Sequence, residues 1–272
     1  MIETDKKSTT EGLRLIDSHC HLHDTDFFTD NREQFYKETV EANIGMICVG
    51  TDQRSSRQAV EFAANHEFTW AAIGVHPHDT KDGWGDVKTL LENKTKNSSI
   101  VAIGEIGLDY YYNNSPRETQ IEGLEAQLQM AIDYNLPVSF HVRDGAKDQS
   151  SVWDDFWPIF DNFPGLRGVL HSFTDTRDNL EKGFSRNLYV GLNGISTFTK
   201  DQLQKELFAS IPLERLLLET DAPFLTPAPF RGNINKPEYV RLVAEYWAKQ
   251  RNIDFDVLSQ ATLHNTKELF GI

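Results

Sequence analysis

Near its N-terminus the chain reads LRLIDSHCHLHD (13–24), an apolar segment that runs directly into histidines at alternate positions. The run LRLIDSH (13–19) has the length and composition of a β-strand. On an extended segment His19 and His21 point to one side and Cys20 to the other, because side chains alternate along a strand. The pair is therefore able to chelate one cation without bending the backbone. Two histidines at this spacing also arise by chance, so the pair indicates a metal site only if other ligands are found elsewhere in the chain.

Further apolar or β-branched runs recur downstream at a steady interval. Their near-continuous hydrophobicity is typical of parallel strands that are covered on both faces. We predict strands at IGMICVG (44–50), TWAAIGV (69–75), IVAIGEI (100–106), PVSFHV (137–142), RGVLHS (167–172), LYVGLN (188–193) and RLLLET (215–220).

Amphipathic stretches separate these runs, and several begin with Asn, Ser or Thr, which are good helix N-caps. We predict helices at 31–43, 55–66, 115–135, 199–210, 237–252 and 257–270. Eight strands that alternate with helices predict a (β/α)₈ (TIM) barrel, and eight units of similar length favour closure over a doubly wound open sheet. We expect one domain at 13–272, preceded by a polar tail at 1–12.

Composition and charge limit the classes of function. The 272 residues are 39% hydrophobic and 25% charged, and they contain no apolar run long enough to span a membrane. The polar N-terminus does not resemble a secretory signal. Only two cysteines, Cys20 and Cys48, are present, which fits a reducing cytoplasm. A formal charge of −14 disfavours tight passive DNA binding.

Residues that commonly bind metals lie at the ends of several predicted strands. Glu105, His141 and His171 end strands four, five and six, and Asp221 follows strand eight. In a parallel barrel all strand ends of one polarity meet at one mouth, where catalytic groups collect. Together with His19 and His21, these residues predict a metal site. A single buried His or Glu is more often structural, but six at one rim are hard to attribute to chance.

Three residues are candidate substrate contacts. His76 in GVHPH ends strand three and faces the same mouth, where we expect substrate contact rather than metal ligation. Arg143 and Arg231 are the best cations for a substrate phosphate. For Arg231, an ordinary surface salt bridge is an equally good interpretation.

The other histidines and Cys20 are weaker candidates. We expect His78 to be solvated, His66 and His264 to be structural, and Cys20 to be packed, while His23 lies behind the site or in a loop.

In order and spacing, the motifs DSHCHL, GVHPH, GEIGLDYY, PVSFHVRD, VLHSF, LLLETDAPFLTP and RGNINKP resemble those of the TatD-type metal-dependent deoxyribonucleases. The resemblance runs from about Leu13 to the C-terminus. It implies an amidohydrolase-like barrel with one or two divalent metals and hydrolysis of ester bonds, usually in DNA. His19 and His21 would bind one metal, Glu105 would bridge, and His141 and His171 would complete the second site. Asp221 would serve as ligand and as proton acceptor.

The implied chemistry is hydrolysis assisted by a divalent cation. The cation lowers the pKa of bound water, so that hydroxide is available near neutral pH, and it polarises the scissile phosphoryl or acyl oxygen. Imidazole and carboxylate ligands suit Zn²⁺ or Mn²⁺, whereas an all-oxygen shell suits Mg²⁺ better. Because many family members are assayed with Mg²⁺, all three ions stay open. We expect DNA or another phosphate or ester substrate as a transient partner, and neither a membrane nor an obligate protein partner.

Three other functions stay open at this stage. A cyclic-amide or lactone hydrolase on this scaffold often carries a carboxylated lysine at the end of strand four, where this chain has Glu105. An aminoacyl-tRNA deacylase also hydrolyses esters. A metal-free binding protein is a different class, which the full ligand set disfavours. In the last motif Lys236 stands where the family commonly has an acidic residue, so substrate contacts at that edge are in doubt.

Overall fold

The computed structural model describes residues 10–94, 99–112, 114–145 and 151–272. Within these residues, eight strands form one parallel sheet whose spatial order is the chain order. The predicted TIM-barrel class is therefore confirmed. The boundary predicted at residue 13 stays a prediction, and residues 1–9 of the predicted tail lie outside the described part of the chain.

The strands are short, and most of their side chains are buried because the barrel interior lies on one side and the helices on the other. They are β1 (Leu15–Cys20), β2 (Ile44–Val49), β3 (Thr69–Ile73), β4 (Ile100–Asp109), β5 (Val138–Arg143), β6 (Gly168–Leu170), β7 (Tyr189–Leu192) and β8 (Leu216–Leu218).

Helices follow the strands along the chain. Asp52, Thr176, Asp201 and Asp254 cap four of them by accepting hydrogen bonds from backbone N–H groups of the first turn. The helices are α1 (Arg32–Glu41), α2 (Gln53–Asn65), α3 (Gly85–Glu92), α4 (Arg117–Asp133), α5 (Trp153–Asp161), α6 (Arg177–Ser185), α7 (Ile195–Phe198), α8 (Gln202–Ser210), α9 (Val240–Arg251) and α10 (Phe255–Phe270).

The seam between β8 and β1 closes the barrel. The N–H of Asp221 donates to the carbonyl oxygen of His19 at 2.9 Å, and the N–H of His21 donates to that of Ala222 at 2.8 Å. Below them, Thr220 donates its N–H and its hydroxyl to the buried carboxylate of Asp17, at 2.8 and 2.5 Å. The seam therefore holds His19, His21 and Asp221 in one fixed arrangement.

The predicted helices and strands are present, with ends shifted by a few residues, and the strand bounds differ most at β4, β6 and β8. Strand β4 continues to Asp109, past its predicted end at 106, while β6 and β8 are each only three residues long. Helices α3, α5, α6 and α7 lie outside the predicted helices. Helix α5 has the sequence WDDFWPIFD, whose aromatic residues and internal Pro158 obscure the helical pattern.

No helix in the described ranges is long and apolar enough to cross a membrane.

Candidate metal centre

The six predicted side chains lie together at the carboxyl end of the barrel. His19 and His21 come from β1, and their Nε2 atoms lie 3.8 and 3.3 Å from Oδ1 of Asp221. Cys20, between them, is fully buried on the opposite side, as the alternation predicts. The backbone of Asp221 has a φ of +58°, a left-handed conformation that is uncommon outside glycine. This conformation occurs at the seam between β8 and β1, and the carboxylate of Asp221 faces His19 and His21.

Glu105 occupies the centre of the cluster, and its two carboxylate oxygens face different neighbours. Oε2 lies 3.3 Å from Nε2 of His19. Oε1 lies 2.9 Å from Nδ1 of His141 and 3.3 Å from Nε2 of His171, with Nε2 of His76 at 3.7 Å. The carboxylate therefore stands between two groups of imidazoles, one on each oxygen.

Three combinations of these residues bring their potential ligand atoms within 4.8 Å of one another. They are His19 with His21 and Asp221, His19 with Glu105 and His171, and His76 with Glu105 and His141. Such sets of imidazole and carboxylate groups suit divalent transition metals. The residues present fit a cation for a second reason. Nε2 of His19 is buried and has no hydrogen-bond partner among the described residues, although it is aimed at the two carboxylates.

The electrostatics keep both carboxylates ionised. Burial alone would raise the pKa of Glu105, but His171, His19 and His141 outweigh it and hold that pKa well below its usual range. Burial also opposes ionisation of Asp221, and the hydrogen bond from His21 together with the charges of His171 and His19 lowers its pKa. Two ionised carboxylates among neutral or protonated imidazoles form a site with a strong preference for positive charge.

His21 and His141 are oriented by contacts on the far side of their rings. Nδ1 of His21 donates to the carbonyl oxygen of Val49 at 2.8 Å, so Nε2 is the ring atom that faces Asp221, at 3.3 Å from Oδ1. Nε2 of His141 donates to Oδ2 of Asp109 at 3.0 Å, which leaves Nδ1 facing Glu105. Such contacts fix the tautomer and the direction of a ligating ring.

His171 has a comparable neighbour in Glu219, at the end of β8. Nδ1 of His171 lies 3.1 Å from Oε1 of Glu219, which also accepts the N–H of Ser172 at 2.6 Å. A Cβ atom on Gly191 would lie only 2.3 Å from the carboxylate of Glu219, so glycine leaves the space that Glu219 occupies. Burial lowers the pKa of His171, but Glu219 and Glu105 outweigh it and raise that pKa well above its usual range.

Asp109 and Glu219 contact the predicted ligands, and neither is among the candidates predicted from the sequence. For Asp109 a signal was present, because Glu105, Gly107 and Asp109 alternate along one strand. A Cβ atom on Gly107 would lie 1.7 Å from the carbonyl oxygen of His141, so this glycine allows β5 to approach closely. The predicted strand ends at Ile106, before Gly107, and therefore does not include Asp109.

The predicted substrate contacts lie at different depths. His76 is buried beside His141, with ring centroids 4.3 Å apart. Burial, and then His141, hold the pKa of His76 well below its usual range. Arg143 is exposed and lies over the rings of Tyr111 and Tyr112, at 4.4 and 4.8 Å from their centroids. Arg231 stacks on Phe198, with 3.4 Å from its Cζ to the ring centroid.

The weaker candidates have definite environments. His78 was expected to be solvated, which is wrong, because Nε2 donates to Asp109 at 2.9 Å and the ring packs against His76. His23 is buried behind His21, with Nε2 3.0 Å from the hydroxyl of Ser55.

His66, His264 and Lys236 lie outside the cluster of six predicted side chains. His66 donates to the carbonyl oxygen of Phe62 at 2.7 Å, and His264 lies on the surface beside Glu268. Lys236, which departs from the family pattern, contacts Glu38 at 2.7 Å and Glu238 at 3.0 Å. Its ammonium group is therefore held between these two carboxylates.

Comparison with known proteins agrees with this geometry. The family model described as TatD related DNase matches residues 16–271. The metal-dependent hydrolase YabD of Bacillus subtilis is 34% identical over 258 residues, which cover 95% of this chain and 99% of that protein. The 3'-5' ssDNA/RNA exonuclease TatD of Pantoea ananatis is 33% identical over 265 residues, covering 95% and 100%. The crystal structure of YjjV, a TatD homologue from Escherichia coli K12, has a TM-score of 0.83 at 29% identity, covering 95% and 98%.

The barrel, its central carboxylate and the surrounding imidazoles define a metal-dependent hydrolase. Because the family model covers nearly the whole chain, the protein belongs to the TatD family of hydrolytic enzymes. These relatives favour the nuclease prediction over the deacylase, the cyclic-amide hydrolase and the metal-free binding protein.

Proposed function

We propose that the protein is an exonuclease that hydrolyses phosphodiester bonds of single-stranded DNA with the help of divalent cations. The observation that carries the proposal is the orientation of the Glu105 carboxylate. Its Oε2 faces His19, whereas its Oε1 faces His141 and His171. A carboxylate in this position is suited to bridge two cations. The name of the Pantoea ananatis relative supplies the substrate class and the 3′-to-5′ direction.

In this proposal His19, His21, Asp221 and Glu105 would hold the first cation, and Glu105, His141 and His171 would hold the second. Bound divalent cations polarise the phosphoryl oxygen and make water more acidic. The mixed nitrogen and oxygen donors favour Zn²⁺ or Mn²⁺ over Mg²⁺.

Asp221 is the proposed proton acceptor. Its side chain is 15% exposed, whereas that of Glu105 is 5% exposed, so Asp221 is the carboxylate that water reaches more easily. The lowered pKa of Asp221 keeps it ionised at neutral pH and ready to take the proton of the attacking water. Glu105 is enclosed by imidazoles and serves as the bridging ligand.

Arg143 is the proposed contact for a substrate phosphate. It lines a cavity of about 220 Å³ together with His171, so a phosphate beside the cluster would meet its guanidinium. Among the described residues Arg143 forms no ion pair with a carboxylate, which leaves its charge available. His76 and Arg231 are proposed to contact other parts of the substrate. The two buried free thiols, Cys20 and Cys48, support a cytoplasmic location.

The test uses metal-stripped protein and single-stranded DNA labelled at its 3′ or its 5′ end. Mg²⁺, Mn²⁺ and Zn²⁺ are added separately. We expect no hydrolysis without metal, and release of the 3′ label first with at least one ion. Glu105→Gln should abolish the activity, whereas Glu122→Gln, on the exposed face of α4, should not change it. Undiminished hydrolysis in excess chelator, or none with any ion, would refute the proposal.

A further inference from the structure

Two exposed phenylalanines lie beside the metal centre. Phe27 follows β1 and Phe224 follows β8, and the two side chains are 43% and 45% exposed. Their rings meet edge to face with centroids 5.2 Å apart, and each centroid lies 6.3 Å from that of His21. An isolated exposed hydrophobic residue is ordinary, but two in contact beside a cluster of ionisable groups form a defined apolar surface.

The backbone holds this pair in place. The N–H of Phe224 donates to the carbonyl oxygen of Asp221 at 2.8 Å, and Asn235 donates to the carbonyl oxygen of Phe224 at 2.6 Å. On the other loop, Phe28 is only 1% exposed and anchors its neighbour Phe27, whose ring turns outward. Adjacent phenylalanines therefore have opposite environments, and the exposed one faces the mouth of the barrel.

A second aromatic pair lies across the mouth. Tyr111 and Tyr112 follow β4, are 55% and 52% exposed, and lie beneath Arg143. In the ring of strands, β4 is half a turn from the seam between β8 and β1. Exposed rings thus stand on both sides of the cluster, and a phosphodiester above Glu105 would have a nucleotide on each side.

The charge of the protein explains why such rings are needed. With a formal charge of −14 the protein gains little from attraction to phosphates. Stacking of bases on aromatic side chains is independent of charge and tolerates any sequence. It therefore provides affinity for a single strand where electrostatics does not.

We infer that Phe27 and Phe224 form a stacking subsite for the base of the nucleotide on the β1 and β8 side of the scissile phosphodiester. This inference rests on the proposed nuclease function. The ligand class is a nucleobase of a single strand, since paired bases would not present their faces to the rings.

The test couples removal of the rings to removal of the base. A single-stranded oligonucleotide is compared with the same strand carrying one tetrahydrofuran abasic residue, placed in turn on each side of the scissile bond. The measured quantity is the ratio of kcat/KM on the intact strand to kcat/KM on the abasic strand. For one of the two placements we expect a ratio of about ten for the wild type and about one for Phe27→Ala/Phe224→Ala, because a stacked base contributes about this factor.

Two further variants make the test specific. Leu203→Ala removes an exposed apolar side chain from α8 and should retain the wild-type ratio. Phe27→Trp/Phe224→Tyr keeps aromatic rings and should also retain it, even if the alanine variant folds poorly.

A wild-type ratio in the alanine variant, or a ratio of about one in the aromatic variant, would overturn the subsite while leaving the nuclease proposal intact. Failure of the wild type to hydrolyse either strand with any of the three ions would instead refute the nuclease function, and the subsite with it.

Discussion

Asp109 accepts a hydrogen bond at 3.0 Å from Nε2 of His141, the ring atom that faces away from Glu105. Because an ionised carboxylate only accepts hydrogen bonds, this contact places a proton on Nε2 and leaves Nδ1 as the atom for a cation. Asp109 also accepts the N–H groups of Tyr111 and Tyr112 at 2.9 and 3.0 Å. One buried carboxylate thus links a candidate ligand to the exposed tyrosines at the mouth.

Asp109→Asn should therefore weaken metal binding without removing a ligand. We expect a 10- to 100-fold loss of affinity, the usual effect of removing a partner that orients a ligating histidine. Calorimetric titration of the stripped protein with Mn²⁺ measures it. The control is Asp178→Asn, an exposed residue of α6 that pairs with Lys182. Equal affinities in the wild type and Asp109→Asn would show that Asp109 does not orient His141.

Asp221→Asn and His19→Ala should separate proton transfer from metal assembly. If Asp221 is chiefly the proton acceptor, its amide variant should keep most of the metal yet lose at least about a hundredfold in kcat. His19→Ala removes a chelating arm, so metal content should fall first and excess metal should partly restore activity. Metal stoichiometry and turnover across a metal titration distinguish the two. Full activity in Asp221→Asn would exclude Asp221 from the proton transfer.

Binding of single-stranded DNA should depend only weakly on salt. With about two phosphate contacts, the slope of log affinity against log salt should be about −1.4. Arg143→Ala should raise KM and make this slope shallower, whereas Arg241→Ala, on α9 beside Glu238 and Glu245, should change neither. A slope that corresponds to six or more phosphate contacts would contradict the account of the charge distribution.

Thr220→Val should destabilise the barrel at its seam. The change removes the hydroxyl that donates to Asp17 at 2.5 Å and leaves a fully buried carboxylate with fewer donors. The expected loss is about 1–3 kcal/mol in the free energy of unfolding. Urea denaturation measures it, and Thr220→Ser, which keeps the hydroxyl, should lose less. Equal stability of Thr220→Val and the wild type would show that the hydroxyl does not stabilise the seam.

The sequence predicted the barrel because its strands and helices repeat regularly, and it predicted the six clustered side chains because strand ends of one polarity meet at one mouth. Their contacts were harder to predict. The role of Glu219 depends on the space beside Gly191, which is set by the packing of β7 against β8. Likewise, Phe27 and Phe224 are far apart in the sequence, and only closure of the seam brings them together.

Anomalous diffraction from crystals grown with Mn²⁺ tests the central claim most directly. We predict two anomalous peaks on opposite sides of the Glu105 carboxylate, one bound by His19, His21 and Asp221 and the other by His141 and His171. Ligand distances should be close to those of ordinary metal–nitrogen and metal–oxygen bonds, about 2.0–2.2 Å. Absence of any peak at Glu105, or a peak that none of these side chains contacts, would contradict the assignment of the site.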